Sequence, residues 1–184
     1  MPGRTPAEAV SAFLDPLQRA VSCVTRTPLQ ISRGGRKTAA QPHMLSWDQD
    51  RPVPLKISGG SRIALDLTMR YEIVRKDTDQ GLWAVSTRAY YYTVETEDGA
   101  QVFAYHWHPR GKSSVTFPHL HLGHARLHHD GVFSRKAHMP TGRISLESVI
   151  RLCIREYGIQ PLRDDWEQVL ANSEDLFTMW RSWH

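Results

Sequence analysis

The sequence contains few of the features that mark secreted or membrane proteins. Its two cysteines, Cys23 and Cys153, lie far apart in apolar helical patterns, which excludes a disulfide framework and a C-x-x-C metal or redox pair. No run reaches the ~18 apolar residues of a membrane span, and the N-terminal residues lack the basic-then-apolar pattern of a signal peptide. We therefore expect a soluble, cytoplasmic protein with no membrane partner.

Motifs that define common enzyme classes are also missing. The sequence has no G-x-S-x-G, Walker or G-x-G-x-x-G stretch, so α/β-hydrolases and nucleotide-binding loops have no support. Acidic residues are absent from residues 101–129, which removes the carboxylate ligands of a mixed hydrolytic metal site from that segment. A metal site made only of histidine stays compatible with the sequence.

The first sixty residues predict one helix followed by a loop-rich extension. In "TPAE", Thr5 suits an N-cap, Pro6 the first helical position, and Glu8 can complete a capping box. Apolar residues at helical spacing then continue to about Val24. Residues 25–60 are rich in proline and glycine and predict loops with short strands at most.

From residue 61 onward, the spacing of apolar residues changes from the helical period to a period of two. In "RIALDLTMRYEIVRK" alternate residues are apolar, which predicts a long half-buried strand. Turn segments separate it from "LWAVSTRAYYYTVET", "QVFAYHWH" and "TFPHLHLGHARL". Residues 61–127 therefore predict an antiparallel meander of about four strands.

The helical period returns near the C-terminus. Ser145 can cap a helix that Gly158 ends, with Val149, Ile150 and Cys153 packed on the sheet, and two further short helices are expected from about Asp164 onward. The chain is thus predicted to be an α+β protein with helices on one face of the sheet. Its expected division is an extension, residues 1–60, and a core domain, residues 61–184.

Histidines are concentrated in one part of the chain: eight of the ten lie between residues 106 and 138. His106 and His108 are two apart on one predicted strand, and His119 and His121 are two apart on the next, so each pair shares a face. If the two strands pair, four imidazoles converge. Such a cluster could bind zinc, perform acid–base chemistry on a phosphate, or be ordinary sheet surface.

Basic residues overlap this cluster. Residues 101–143 contain six Lys and Arg against one acid, a balance that suits phosphate groups or RNA but is also common on plain surfaces. Arg110, Lys112 and Arg143 are the candidate phosphate-binding residues. His138 is placed to join the cluster from the side.

The stretch "HLHLGHA" approaches the His-φ-His-φ-His-φ-φ motif of histidine-triad hydrolases but has one extra residue, Gly123, before His124. A slip of one residue turns a strand side chain to the other face, and only a bulge at Gly123 would restore the alignment.

A longer block, "YHWHPRGKSSVTFPHLHLGH" followed by "KAHMPTGRISLESVIRLCIREYG", resembles the C-terminal half of TumE-like proteins, the toxin components of bacterial toxin–antitoxin systems. The match runs through a His-Pro element, a "FPH" strand and a Ser-Leu-Glu helix and covers about a third of the chain. The resemblance implies a toxin that acts on RNA or another nucleic acid, with an antitoxin protein as partner.

The histidine cluster and the resemblance to TumE-like proteins together suggest a metal-independent ribonuclease without a cofactor. Candidate catalytic residues are His106, His108, His119 and His121, one accepting and another donating a proton while a cation stabilises the transition state. A non-catalytic interaction protein and a His-ligated metal-binding domain are the alternatives.

Overall fold

A computed structural model describes residues 2–48, 51–60, 62–76, 82–110, 113–123 and 138–180. Within these residues, three helices and eight strands follow one another. In order they are α1 (Pro6–Val21), β1 (Leu29–Ile31), β2 (Pro42–Trp47), β3 (Val53–Lys56), β4 (Arg62–Arg75), β5 (Trp83–Thr96), β6 (Gln101–Trp107), β7 (His119–Leu122), β8 (Met139–Pro140), α2 (Leu146–Tyr157) and α3 (Trp166–Trp180).

All eight strands belong to one antiparallel sheet of order β1-β2-β4-β5-β6-β7-β8, with β3 paired beside β4. The α+β class is confirmed, and β4 to β7 are the predicted meander. The predicted number of about four strands is too low. The additional strands are two to six residues long, too short to show a period of two against the surrounding prolines and glycines.

The first sixty residues contribute to the same sheet and core as the rest. The long strand β4 pairs with β3 along its first half and with β2 along its second half. Trp47 of β2 is buried, and its Nε1 donates to the carbonyl oxygen of Leu65 at 2.8 Å. A buried indole N–H needs such a partner, so this bond fixes β2 against the neighbouring strand.

The helices cover one face of the sheet. Alternate residues of β4 are buried on that face, as the period of two predicts: Ile63, Leu65, Leu67, Met69, Tyr71 and Ile73. The predicted caps are observed, since Thr5 accepts from the N–H of Glu8 and Ser145 from that of Ser148. Gly158 ends α2 with φ 66°, a conformation that glycine adopts without strain. Val149, Ile150 and Cys153 are buried, as predicted.

The two short C-terminal helices of the prediction are one continuous helix, α3. Its polar residues at the expected break make tertiary contacts: Ser173 donates to Glu147, and Glu174 accepts from Ser145 and Ser148 at the start of α2. A polar interruption of the apolar pattern therefore indicated a helix–helix contact and not a helix end.

No helix within the described ranges combines the length and apolar character needed to cross a membrane.

Candidate functional site

The histidine pairs lie on the sheet face that the helices leave open. Strands β6 and β7 pair antiparallel, with His106 opposite His119 and Ala104 opposite His121. Because side chains alternate along a strand, His108 shares their face, while Trp107 and Tyr105 point to the covered face. The structure therefore brings the four predicted catalytic imidazoles together.

Their rings are close neighbours. The centroid of His106 lies 5.7 Å from that of His119 and 4.9 Å from that of His121, and His108 lies 5.4 Å from His119. His138, at the entrance to β8, lies 5.0 Å from His119 and 4.7 Å from His121. We call these five residues the imidazole cluster.

Tyr91 of β5 lies next to the cluster on the same face of the sheet. It stands opposite His106 in the sheet, with ring centroids 5.2 Å apart, and stacks on His108 at 5.6 Å. Sequence reasoning missed this residue. The signal was present, because in the run "YYY" the middle tyrosine must face away from its two neighbours.

His119 is the centre of the cluster and is almost fully buried, with 1% of its surface exposed. Its Nδ1 lies 2.8 Å from the carbonyl oxygen of Phe117. A carbonyl oxygen can only accept, so Nδ1 carries the proton and donates. In the neutral ring Nε2 then presents a lone pair, yet this buried nitrogen has no hydrogen-bond partner among the described residues.

The environment favours neutral imidazoles. Burial, reinforced by the neighbouring histidines, lowers the pKa of His106 to about 4. Burial also lowers the pKa of His119, partly offset by the hydrogen bond to Phe117. Both rings are therefore uncharged at neutral pH, the form in which histidine binds metals or accepts a proton.

Two sets of three histidines have ligand nitrogens within 4.8 Å of one another: His106, His108 and His119, and His119, His121 and His138. Tetrahedral zinc with Zn–N distances of 2.0–2.1 Å needs nitrogens about 3.4 Å apart, so small ring rotations would close either set. Both sets consist only of histidines, with no Cys, Asp or Glu among the described residues that could complete them. His119 offers one free nitrogen, so the two sets compete for it.

Two of the predicted cations share a cavity with one imidazole of the cluster. The guanidinium of Arg143 lies 3.4 Å from the ring centroid of Trp107, on the covered face of the sheet. Arg110 is exposed and lines a cavity together with Arg143 and His108. Lys112 lies outside the described residues. The hypothesis that a cation and two imidazoles share one phosphate site stays a prediction.

Gly123 follows β7 and approaches β6 closely. A Cβ atom at this position would lie 1.6 Å from the carbonyl oxygen of Gln101, so only glycine fits. His124, on which an alignment with histidine-triad hydrolases depends, lies outside the described residues.

Comparisons with protein families, with curated proteins and with solved structures found no match. The resemblance to TumE-like toxins therefore stays a prediction, and function has to be inferred from the chemistry of the site.

Proposed function

We propose that this protein binds a divalent transition metal ion, zinc by the nature of its ligands, in the imidazole cluster, and that the bound metal activates water for hydrolysis of a phosphodiester. The observation that carries the proposal is His119. Its Nδ1 donates to a carbonyl oxygen, while its buried Nε2 has no partner in the part of the chain that the structure describes. Metal-binding histidines are typically held in this way, by a hydrogen bond from the nitrogen that does not bind the metal.

An unpaired buried polar atom is costly, at about 1–3 kcal/mol, unless a ligand satisfies it. Nε2 of His119 presents a lone pair, which a metal ion, a proton or a hydrogen-bond donor can accept. The lowered pKa of His119 disfavours the proton. A metal ion, unlike a single hydrogen-bond donor, would also bind the neighbouring imidazole nitrogens, which lie within 4.8 Å.

We assign the metal to His106, His108 and His119. His106 and His119 stand opposite each other on paired strands, and His108 directly follows β6 and is half-buried, whereas His138 of the other set is exposed. A ligand held by surrounding side chains is better fixed than an exposed one. Imidazole nitrogens suit zinc, copper, nickel and iron, and three histidines with an open fourth position are typical of catalytic zinc.

Three histidines leave the fourth coordination position of a zinc ion free to bind water. A metal ion held there would activate water for attack near neutral pH. His121, whose ring lies 4.9 Å from that of His106, would accept the proton of that water. As the water oxygen attacks phosphorus, the P–O bond to the leaving group breaks, and the protonated His121 returns its proton to the leaving alkoxide.

The predicted metal-independent ribonuclease is a second candidate with weaker support. It needs one neutral and one protonated imidazole at the same pH. His106, with a pKa of about 4, suits the base and not the acid at neutral pH. RNA is proposed as the substrate because the sequence resembles TumE-like toxins and because residues 101–143 contain more Lys and Arg than acidic residues.

The first experiment measures metal binding to untagged protein, because a polyhistidine tag would itself bind zinc. We expect calorimetric titration of chelator-treated protein to give one zinc per chain. His119→Ala should weaken binding at least 100-fold. Leu120→Ala, which changes the neighbouring side chain on the other sheet face, is the matched control and should bind zinc normally. A folded wild-type chain that binds no zinc, copper or nickel would refute the proposal.

The second experiment separates the two mechanisms. Cleavage of a fluorescent RNA should stop on chelation and return with zinc. Equal cleavage in excess chelator would establish the metal-independent mechanism instead. Absence of RNA cleavage by zinc-loaded protein would refute the proposal that RNA is the substrate, but not the proposal of a metal site.

The toxin hypothesis has its own test. Expression of the wild-type chain in bacteria should slow growth, and His119→Ala at equal soluble level should not. Normal growth at high soluble expression of the wild type would contradict it.

A further inference from the structure

A cavity of about 590 Å³ lies mainly on the covered side of the sheet. Its walls come from α1, from β4, β5 and β6, from the residues that follow β6, from the segment that enters α2 and the start of α2, and from α3. This volume is within the range of small-molecule sites in proteins. Of the imidazole cluster, only His108 lines the cavity, so the cavity shares one residue with the proposed metal site.

Glu147 lines the cavity and is the unusual residue in it. Only 1% of its surface is exposed. One carboxyl oxygen, Oε1, accepts from the hydroxyl of Ser173, while Oε2 is buried and has no hydrogen-bond partner within the described ranges. The N-cap Ser145 fixes the start of α2 and therefore the position of this side chain two residues later.

Burial raises the pKa of Glu147, and the hydrogen bond from Ser173 opposes this increase. A buried carboxyl oxygen without a partner is destabilising in the empty protein. A ligand with N–H donors would satisfy it. In this respect Glu147 differs from Glu174, whose oxygens accept from Ser145, Ser148 and Arg151.

Aromatic rings form much of the wall. Tyr90 and Tyr92 are stacked with centroids 4.8 Å apart, and Trp107 lies 6.0 Å from Tyr90. Phe13 and Phe177 also line the cavity. Such walls favour a flat ring, which gains both apolar burial and ring–ring contact.

The charged residues of the wall give an excess of two positive charges: Arg70, Arg88, Arg110 and Arg143 against Glu72 and Glu147. Arg88 is paired with Glu72 at 2.7 Å. Arg70 and Arg110 are exposed, whereas Glu147 is buried. The cavity thus has a buried acceptor at one place and cations near solvent at another, and guanidinium groups bind phosphate well.

We propose that this cavity binds a nucleoside monophosphate, with the N–H edge of the base at Glu147, the base among the aromatic rings, and the phosphate at Arg110 and Arg143. Guanine matches best, because its ring N–H and amino group can both donate to one carboxylate. The proposed site shares only His108 with the imidazole cluster, and the proposal does not depend on metal binding.

The test is calorimetric titration of the full chain with GMP, guanosine and ribose 5-phosphate. GMP should bind with a micromolar Kd, and each of the two fragments at least tenfold more weakly. Glu147→Gln, which replaces an acceptor oxygen by a donor amide of the same shape, should weaken GMP binding at least tenfold. Arg110→Ala should weaken GMP binding while leaving guanosine binding unchanged.

Two further variants keep the result interpretable. Ala12→Phe fills the cavity from α1 without altering Glu147, so it tests the site even if Glu147→Gln fails to fold. It should abolish GMP binding. His121→Asn, at the imidazole cluster, should bind GMP as the wild type does. The proposal is overturned if GMP at millimolar concentration does not bind, if a folded Glu147→Gln or Ala12→Phe protein binds it normally, or if His121→Asn abolishes binding.

Discussion

The two faces of the sheet at β5 and β6 carry opposite kinds of side chain from the same strands. On the open face Tyr91, His106 and His108 lie together, half-buried. On the covered face Tyr90, Tyr92 and Trp107 pack under the helices and are nearly fully buried. Neighbouring side chains of a strand point to opposite faces of the sheet. A shift of one position along the sequence therefore moves a side chain from one of these environments to the other.

Three buried side-chain polar atoms have no partner among the described residues: Oγ1 of Thr141, directly after β8, and one atom on each face. On the open face it is a nitrogen, Nε2 of His119, and on the covered face an oxygen, Oε2 of Glu147. The nitrogen has a lone pair for a metal ion, and the carboxyl oxygen accepts N–H donors. The difference between the faces is therefore a difference in the ligand that each can satisfy.

The largest expected contrast is in stability. Tyr92→Ala should lower the free energy of unfolding by about 3–5 kcal/mol, because it empties a fully buried position. Tyr91→Ala, its neighbour on the open face, should cost about 1 kcal/mol. Urea denaturation of both variants measures the difference. Equal losses would mean that the open face is as closely packed as the covered one.

Zinc should stabilise the protein through the open face only. At a free concentration 100 times Kd, binding adds about 2.7 kcal/mol to the free energy of unfolding. Chelation should remove this increase, and His119→Ala should not show it. Glu147→Gln, on the covered face, should show the full increase. Zinc stabilisation of His119→Ala equal to that of the wild type would place the metal elsewhere.

On the covered face the raised pKa of Glu147 predicts a loss of stability with rising pH. The folded protein keeps this proton above the ordinary carboxyl pKa of 4.5, where the unfolded chain has lost it. Stability should therefore fall as pH rises from 4.5 through the raised pKa. Glu147→Gln should lack this decline. Denaturation midpoints from pH 4 to 8 test it, and parallel curves for the two proteins would contradict it.

The open face should behave in the opposite way in acid. His106 has a pKa of about 4 in the folded protein against 6.5 ordinarily, so the unfolded chain binds the proton first. Without metal, stability should fall as pH drops from 6.5 to 4. The loss should be about 1 kcal/mol, since the half-buried site is screened by solvent. His106→Ala should lack this component, and a wild-type curve identical to that of the variant would show that His106 titrates normally.

Much of the fold follows from local patterns in the sequence. The caps at Thr5 and Ser145, the helix end at Gly158 and the alternation of β4 each depend on residues within a few positions of one another. Such interactions are short-range, so they can be recognised without knowing what lies elsewhere in the chain. The strands β1 to β3 could not be counted in this way, because pairing with β4 and not their own sequence makes them strands.

The candidate site was determined by the sequence only in part. Spacing by two assigned His106 and His108 to one face, and His119 and His121 to one face, because side-chain alternation is a property of the single strand. Tertiary structure alone decided that His106 stands opposite His119, that His138 joins them and that Arg143 crosses to Trp107. It also placed Glu147 against Ser173 across two helices. Register and helix packing depend on contacts between distant residues, and these form only when the whole core is assembled.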